Sequence, residues 1–399
     1  MRLSLLSFGG TMKGLKNSRI SIATALVLCL MAGATGVACS YAAFGFQTRQ
    51  VSTKLREIDR LVSERYVGTM DGEAIGDFAA YGYLTGLNDR WSNYIPANEY
   101  KSYQLRTEGQ GVGIGVSVVT EQDRIRVSEV YDDSPAQQAG IAKGDLILAA
   151  EGVTVEKDGG QAVVNAVQGE EGTAVTITVR KAETNQVQEL TMTRALVKQK
   201  MAWGEMLDGQ IGYLRINSFR VGSAEQFNAA LDQLVADGAK SLILDVRHNG
   251  GGRVKEMSAM LDPLLGEGTI MTLRTKAGME TVYSSDAAHI GLPAVVLADD
   301  QSISAAEFFA AALQEYDRAT VVGTHTTGKG RAQQTYELSD GSALVLSVEE
   351  YFTPKGNNLA DKGIAPDVEV GLTEVQASDF YFLTPETDPQ LQKAVEILS

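Results

Sequence analysis

At 399 residues, 44% apolar and 21% charged, the chain is long enough for two or three domains, and its balance excludes wholesale disorder. Its 35 Lys and Arg against 50 Asp and Glu give a net charge of −15, which argues against nucleic acid as a partner because phosphates would repel it. The cysteines, Cys29 and Cys39, and three histidines, His248, His289 and His325, offer no disulfide framework, no thiolate metal site and no HExxH pattern, so neither a metal nor a cofactor is expected.

Lys13, Lys16 and Arg19 precede an uncharged run of 27 residues, Ile20 to Phe46, which is long enough to span a bilayer. Residues 1–46 therefore read as a cytoplasmic basic end with a membrane anchor or signal segment, the remainder lying on the extracytoplasmic side of the cell membrane, or secreted if the segment is cleaved. An uncleaved single-pass anchor is favoured. Gly36-Val37-Ala38-Cys39 is loosely like a lipidation box but lacks the Leu expected three residues before the Cys.

Residues 47–106 form a helical region. Leu55, Ile58, Leu61 and Val62 share one helical face, a second run ends near Leu87, and Asn88 to Pro96 holds turn formers and aromatics. Residues 107–195 change character to short strands broken by turns. Arg124 to Val130 and Val175 to Arg180 alternate, Ser134-Pro135-Ala136 starts a short helix, and Gly140 to Asp145 turns into Leu146-Ile147-Leu148. This segment resembles a PDZ domain: Gly113-Ile114-Gly115-Val116 is similar to the loop that grips a terminal carboxylate, beside a strand edge open to an added peptide.

From 196 to 399 the pattern becomes α/β. Ser241 to Val246, Ala294 to Ala298 and Ala319 to Gly323 are apolar runs of strand length, and Ala224 to Val235 and Ser304 to Tyr316 are helical. Their alternation implies crossovers and a mostly parallel sheet. Ser304 starts the second helix, ahead of the apolar stripe Ala305, Phe308, Phe309, Ala312 and Leu313. It is either a simple N-cap or a nucleophile at a positive helix end, and position alone does not decide. Lys329 stands between two glycines, and no acidic residue lies between Arg318 and Gln334 to pair with it. With histidine so scarce, a desolvated lysine is the base the chain can offer a serine.

Ser302-Ile303-Ser304-Ala305-Ala306-Glu307, Asp317-Arg318-Ala319, Gly328-Lys329-Gly330, Gln333, Asp340-Gly341-Ser342-Ala343, Tyr351-Phe352-Thr353-Pro354 and Gly363 to Asp367 together resemble the carboxy-terminal processing peptidase family, as does the order of the segments. The resemblance covers roughly Arg56 to Val370. It implies an α/β core, crotonase/ClpP-like, with an inserted PDZ-like domain and an N-terminal helical segment. It also implies a serine endopeptidase cutting proteins near their C-termini, with Ser304 as nucleophile, Lys329 as base and Gln333 orienting the lysine. Asp245 to Gly252 matches the family's glycine motif, where Gly250, or next Gly251, joins Ala305 in an oxyanion hole. Gly113, Ile114, Gly115 and Val116 would bind apolar substrate tails, so that the PDZ-like domain feeds or gates the site; homo-oligomerisation is left open. Ile303, Ala306, His248, Gly250 and Asp317 depart from the usual motifs, which bears on preference and oxyanion geometry. The rival readings are a histidine-based site, for which His325 is the one candidate, and a PDZ scaffold whose peptidase domain is degenerate.

Overall fold

The computed structural model describes residues 46–399 apart from Gln122. The anchor, its cleavage and the cysteines fall outside the described residues, except for Phe46 at the end of the apolar run. Among the described residues no helix is long and apolar enough to cross a membrane. Two compact units divide at Ile75 and Gly76. In the first, the helix Phe46–Arg65 carries Leu55, Ile58 and Leu61 exposed.

In the second unit, a six-stranded sheet runs in the order Ala202–Leu207, Ile211–Ile216, Ser241–Asp245, Ala294–Ala298, Ala319–Gly323, Val368–Glu369. Its first pair is antiparallel and the rest are parallel. Central strands are apolar on both sides because both faces are covered. Leu242 and Leu244 face Phe227, Phe308 and Phe309 in one core, whereas Ile243, Val295 and Val322 meet Leu391 and Ala394 of the C-terminal helix Pro389–Leu398 in another. Alternate strand residues thus serve opposite layers.

A second, antiparallel sheet was not foreseen. It joins Asn93–Ile95, Ala343–Phe352, Gly268–Thr275 and Glu280–Ser285, with Arg331–Glu337 also paired to Ala343–Phe352. It matters for the site, because Lys329 stands just before Arg331–Glu337 and Gln333 lies on it.

The PDZ-like segment leaves and re-enters the core through a two-stranded ribbon, Gln110–Gly113 against Ala195–Lys198. It has its own core, in which Ile114, Ile125, Val127, Val163, Val175 and Ile177 are buried. Val116–Thr120 pairs only with Ile125–Val130, so its other edge is open among the described residues. Gly115 has φ +83°, and a Cβ there would stand 2.3 Å from Ser134 Cβ; only glycine fits this bend.

Candidate active site

Three elements of the core converge on one cavity of about 1870 Å³, whose wall includes Ser304, Lys329, Gln333, Gly250 and Tyr351. Gly113 to Val116 are not part of this wall, although Ser117 and Val118, next along the PDZ-like edge, are.

Ser304 follows a strand that ends at Ala298 and immediately precedes the helix Ala305–Glu315. An ordinary N-cap has an extended backbone. Ser304 instead has φ 60° and ψ −118°, a strained conformation costing about 1–3 kcal/mol. A sharp strand-to-helix turn of this kind can present a side chain as a nucleophile. The N–H of Glu307 goes to the Ser304 carbonyl at 2.9 Å, and Ser304 is buried against the cavity wall. Burial pushes the Tyr351 hydroxyl up to about 12, with the Ser304 hydroxyl beside it pulling the other way.

Glu307 holds this corner together, a role the sequence reading did not assign. Its carboxylate is fully buried and accepts four hydrogen bonds: from Ser304 N–H at 2.8 Å, Thr326 Oγ1 at 2.7 Å, Gly328 N–H at 2.7 Å and Lys329 N–H at 2.9 Å. One side chain thereby fixes both the start of the serine helix and the lysine loop. The signal was present in the sequence, since Ser304 and Glu307 have capping-box spacing.

The Lys329 side chain is treated in the opposite way. It is half-buried, and its amine makes no hydrogen bond and no ion pair among the described residues; it lies 4.7 Å from the centre of the Trp91 ring. Burial pushes the amine down to about 8, with Glu307 and Asp89 pulling weakly the other way. At pH 7 a lysine titrating there is about one-tenth neutral, against roughly one in 2500 for a free lysine. Gln333 does not bond to it: its amide donates to Arg331 O at 2.9 Å and Ser347 Oγ at 3.0 Å.

The glycine loop packs directly on Ser304. Asn249 accepts the Ile303 N–H at 2.9 Å, donates to Ile216 O at 2.8 Å, and takes the Gly251 N–H on Oδ1 at 2.8 Å. Gly251 has φ +89°, and a Cβ there would come within 2.7 Å of Ile303 O and 2.9 Å of Ser304 Cβ. The Gly251 N–H is therefore occupied, whereas those of Gly250 and Ala305 donate to no described residue. Beneath this loop, Asp245 accepts from Tyr213 at 2.7 Å, Arg215 at 2.8 Å and Arg247 at 2.6 Å, and Arg247 reaches on to Asp388 at 2.8 Å.

His248 also lines the cavity, but it is stacked on Phe380 at 4.0 Å and set 3.3 Å from Asp299. His325 is exposed and outside the wall; its ring contacts only the adjoining Thr326 carbonyl. Phe380 belongs to a C-terminal segment that also meets the PDZ-like domain, where Arg126 pairs with Asp379 and lies 3.6 Å above the Phe382 ring. Among the described residues no group of His, Cys, Asp and Glu could hold a metal ion.

Residues 210–370 match the profile of Peptidase family S41, and residues 126–181 that of a PDZ domain. The carboxy-terminal processing protease CtpA of Bacillus subtilis is 31% identical over 323 residues, covering 80% of this chain and 69% of that protein. The carboxyl-terminal-processing protease of Synechocystis is also 31% identical over 323 residues, covering 79% of this chain and 75% of the other. Among solved structures, the photosystem II D1 C-terminal processing protease is 26% identical with a TM-score of 0.50, over 82% of this chain and 88% of that one. A Bacteroides fragilis structure has a TM-score of 0.57 at 19% identity, over 84% and 92% of the two chains, a likeness of fold alone.

Proposed function

The chain belongs to peptidase family S41, among the carboxyl-terminal-processing serine proteases that carry a PDZ domain, and from this premise we propose that it cleaves proteins by a Ser304–Lys329 acyl-enzyme mechanism. The observation that carries the proposal is the unbonded, half-buried Lys329 amine on the same cavity wall as Ser304. Neutral Lys329 takes the Ser304 proton as Oγ attacks a peptide carbonyl carbon. The Gly250 and Ala305 N–H groups, both without an acceptor, receive the oxyanion. The tetrahedral intermediate collapses, the C–N bond breaks, and Lys329 returns the proton to the departing amine. Water then attacks the ester by the same route in reverse and frees Ser304.

Three finer parts of this reading have their own support. Recognition of apolar substrate tails by the PDZ-like domain is supported by the open Val116–Thr120 edge beside the bend at Gly115. Tethering to a membrane, with the protease on the extracytoplasmic side, is supported by the basic end and apolar run before Phe46. A crotonase/ClpP-like core is supported by the parallel strands and their covering helices.

The test is cleavage of a protein substrate bearing an apolar C-terminal tail. Ser304→Ala and Lys329→Ala should each abolish cleavage while thermal unfolding stays cooperative. Full activity in both would reject the mechanism and revive a PDZ scaffold.

A further inference from the structure

A general base must be held as well as deprotonated. Lys329 has no carboxylate, carbonyl or amide to hold its amine, and Gln333 is engaged elsewhere. What the amine does meet is the ring of Trp91, which lines the same cavity as Ser304.

The turn that carries the ring is itself clamped. Asp89 Oδ1 accepts the Trp91 backbone N–H at 3.2 Å, and Asp89 Oδ2 accepts from Ser92 Oγ at 2.7 Å. Ser92 Oγ in turn accepts the Ser347 N–H at 3.1 Å, and Ser347 Oγ accepts from Gln333. The tight turn from Asp89 to Ser92 is thus fastened to the strand that lies beside Gln333. Arg90 lies 4.5 Å from the same ring.

We propose that Trp91 is a positioning residue for Lys329: its indole seats the amine on the cavity wall shared with Ser304, and the Asp89–Ser92 turn, braced through Ser347 by Gln333, holds the backbone from which the indole projects. The arrangement suits a lysine that must lose its charge. An aromatic face attracts the ammonium weakly and directionally, whereas a carboxylate in that place would keep the proton bound. The charged groups around the amine are Glu307, Asp89 and Arg90; Glu307 is occupied by four donors, and Asp89 is turned to Trp91 and Ser92. Gln333 takes part in this arrangement through its hydrogen bond to Ser347. The role of Trp91 rests on Lys329 being the base.

The experiment compares Trp91→Phe and Trp91→Leu in the full chain, recording thermal unfolding, KM, and kcat against pH on a peptide ending in an apolar tail. Trp91→Leu should lower kcat about ten-fold with KM kept within about two-fold, because the amine loses its seat. Its alkaline-rising limb should move down by about half to one pH unit, since the face had favoured the charged form. Trp91→Phe, which keeps a face, should recover most of kcat and leave the limb near its original place. Equal losses in both variants with an unmoved limb would make Trp91 a packing residue and overturn the proposal, as would an upward shift or a wild-type rate in Trp91→Leu. Should Trp91→Leu fail to fold, Ser92→Ala loosens the turn without touching the ring. A kcat lowered about three-fold at constant KM would then uphold the proposal, and a wild-type kcat would end it. Retained activity in Lys329→Ala would instead sink the base reading itself, whatever the Trp91 variants do.

Discussion

Two cations, one buried and one half-buried, line the same cavity and are handled in opposite ways. Arg247 is 2% exposed and bonded to Asp245, Asp388 and Gln390; burial works against its charge, but Asp245 and Asp388 hold its ionisation well above the usual range. Asp245 is held well below the usual carboxylate range by Arg215 and Arg247, although burial works the other way. Neither titrates near neutrality. Lys329 is given burial without partners and ends near 8. The fold thus supplies ionic partners at the strand end and withholds them where the proposed mechanism calls for a proton acceptor.

Four substitutions test this contrast. Lys329→Met should reduce cleavage by on the order of 10⁴-fold, as loss of a group acting as a unit with its nucleophile does. It should also raise stability. The folded lysine has its pKa lowered from the unfolded value, so below about pH 8 folding carries the cost of a desolvated charge, and that cost is relieved between about 8 and 10.4. With partial exposure screening it, the gain at pH 7 should be about 1 kcal/mol in denaturant unfolding, and it should vanish above pH 10. A loss of stability would break the comparison. Arg247→Met should do the reverse: it leaves Asp388 without its ionic partner and Asp245 with Arg215 alone, and should cost about 3–5 kcal/mol, read by the same unfolding curves.

Glu307→Gln sharpens the contrast from within the site. It keeps shape but turns an amide donor toward some of the four groups that Glu307 now accepts from, so a stability cost of about 1–3 kcal/mol is expected. The value of kcat should fall more than KM rises. Gln333→Ala should be the mildest, costing under about 1 kcal/mol of stability for its half-buried hydrogen bond to Ser347, with kcat reduced less than ten-fold.

Much of this was legible in the residues, for particular reasons. Ser241–Asp245, Ala294–Ala298 and Ala319–Gly323 are continuous apolar runs, as strands covered on both faces must be, and Ser304 sat where such a run gives way to an amphipathic helix. The antiparallel sheet was not legible. Arg331–Glu337 reads Arg-Ala-Gln-Gln-Thr-Tyr-Glu with only Ala332 buried, and Thr272 pairs with Phe352 across a separation that no local pattern reports. The strain at Ser304 was equally silent, because serine has no intrinsic preference for φ 60° and ψ −118°, and the close approach of Gly251 to this turn is a long-range contact. Trp91 was seen only as an aromatic in a turn, since a single contact to a residue more than 200 positions away leaves no periodicity.

The most direct measurement is a titration of Lys329 itself, by NMR of the protein carrying ¹³C-labelled lysine, with the resonance assigned by its loss in Lys329→Arg. The Lys329 Cε signal should titrate near 8, about two units below a free lysine, and the same signal should shift when Ser304 is acylated by a fluorophosphonate. A Lys329 signal that titrates as a free lysine does, near 10.4, would contradict the account.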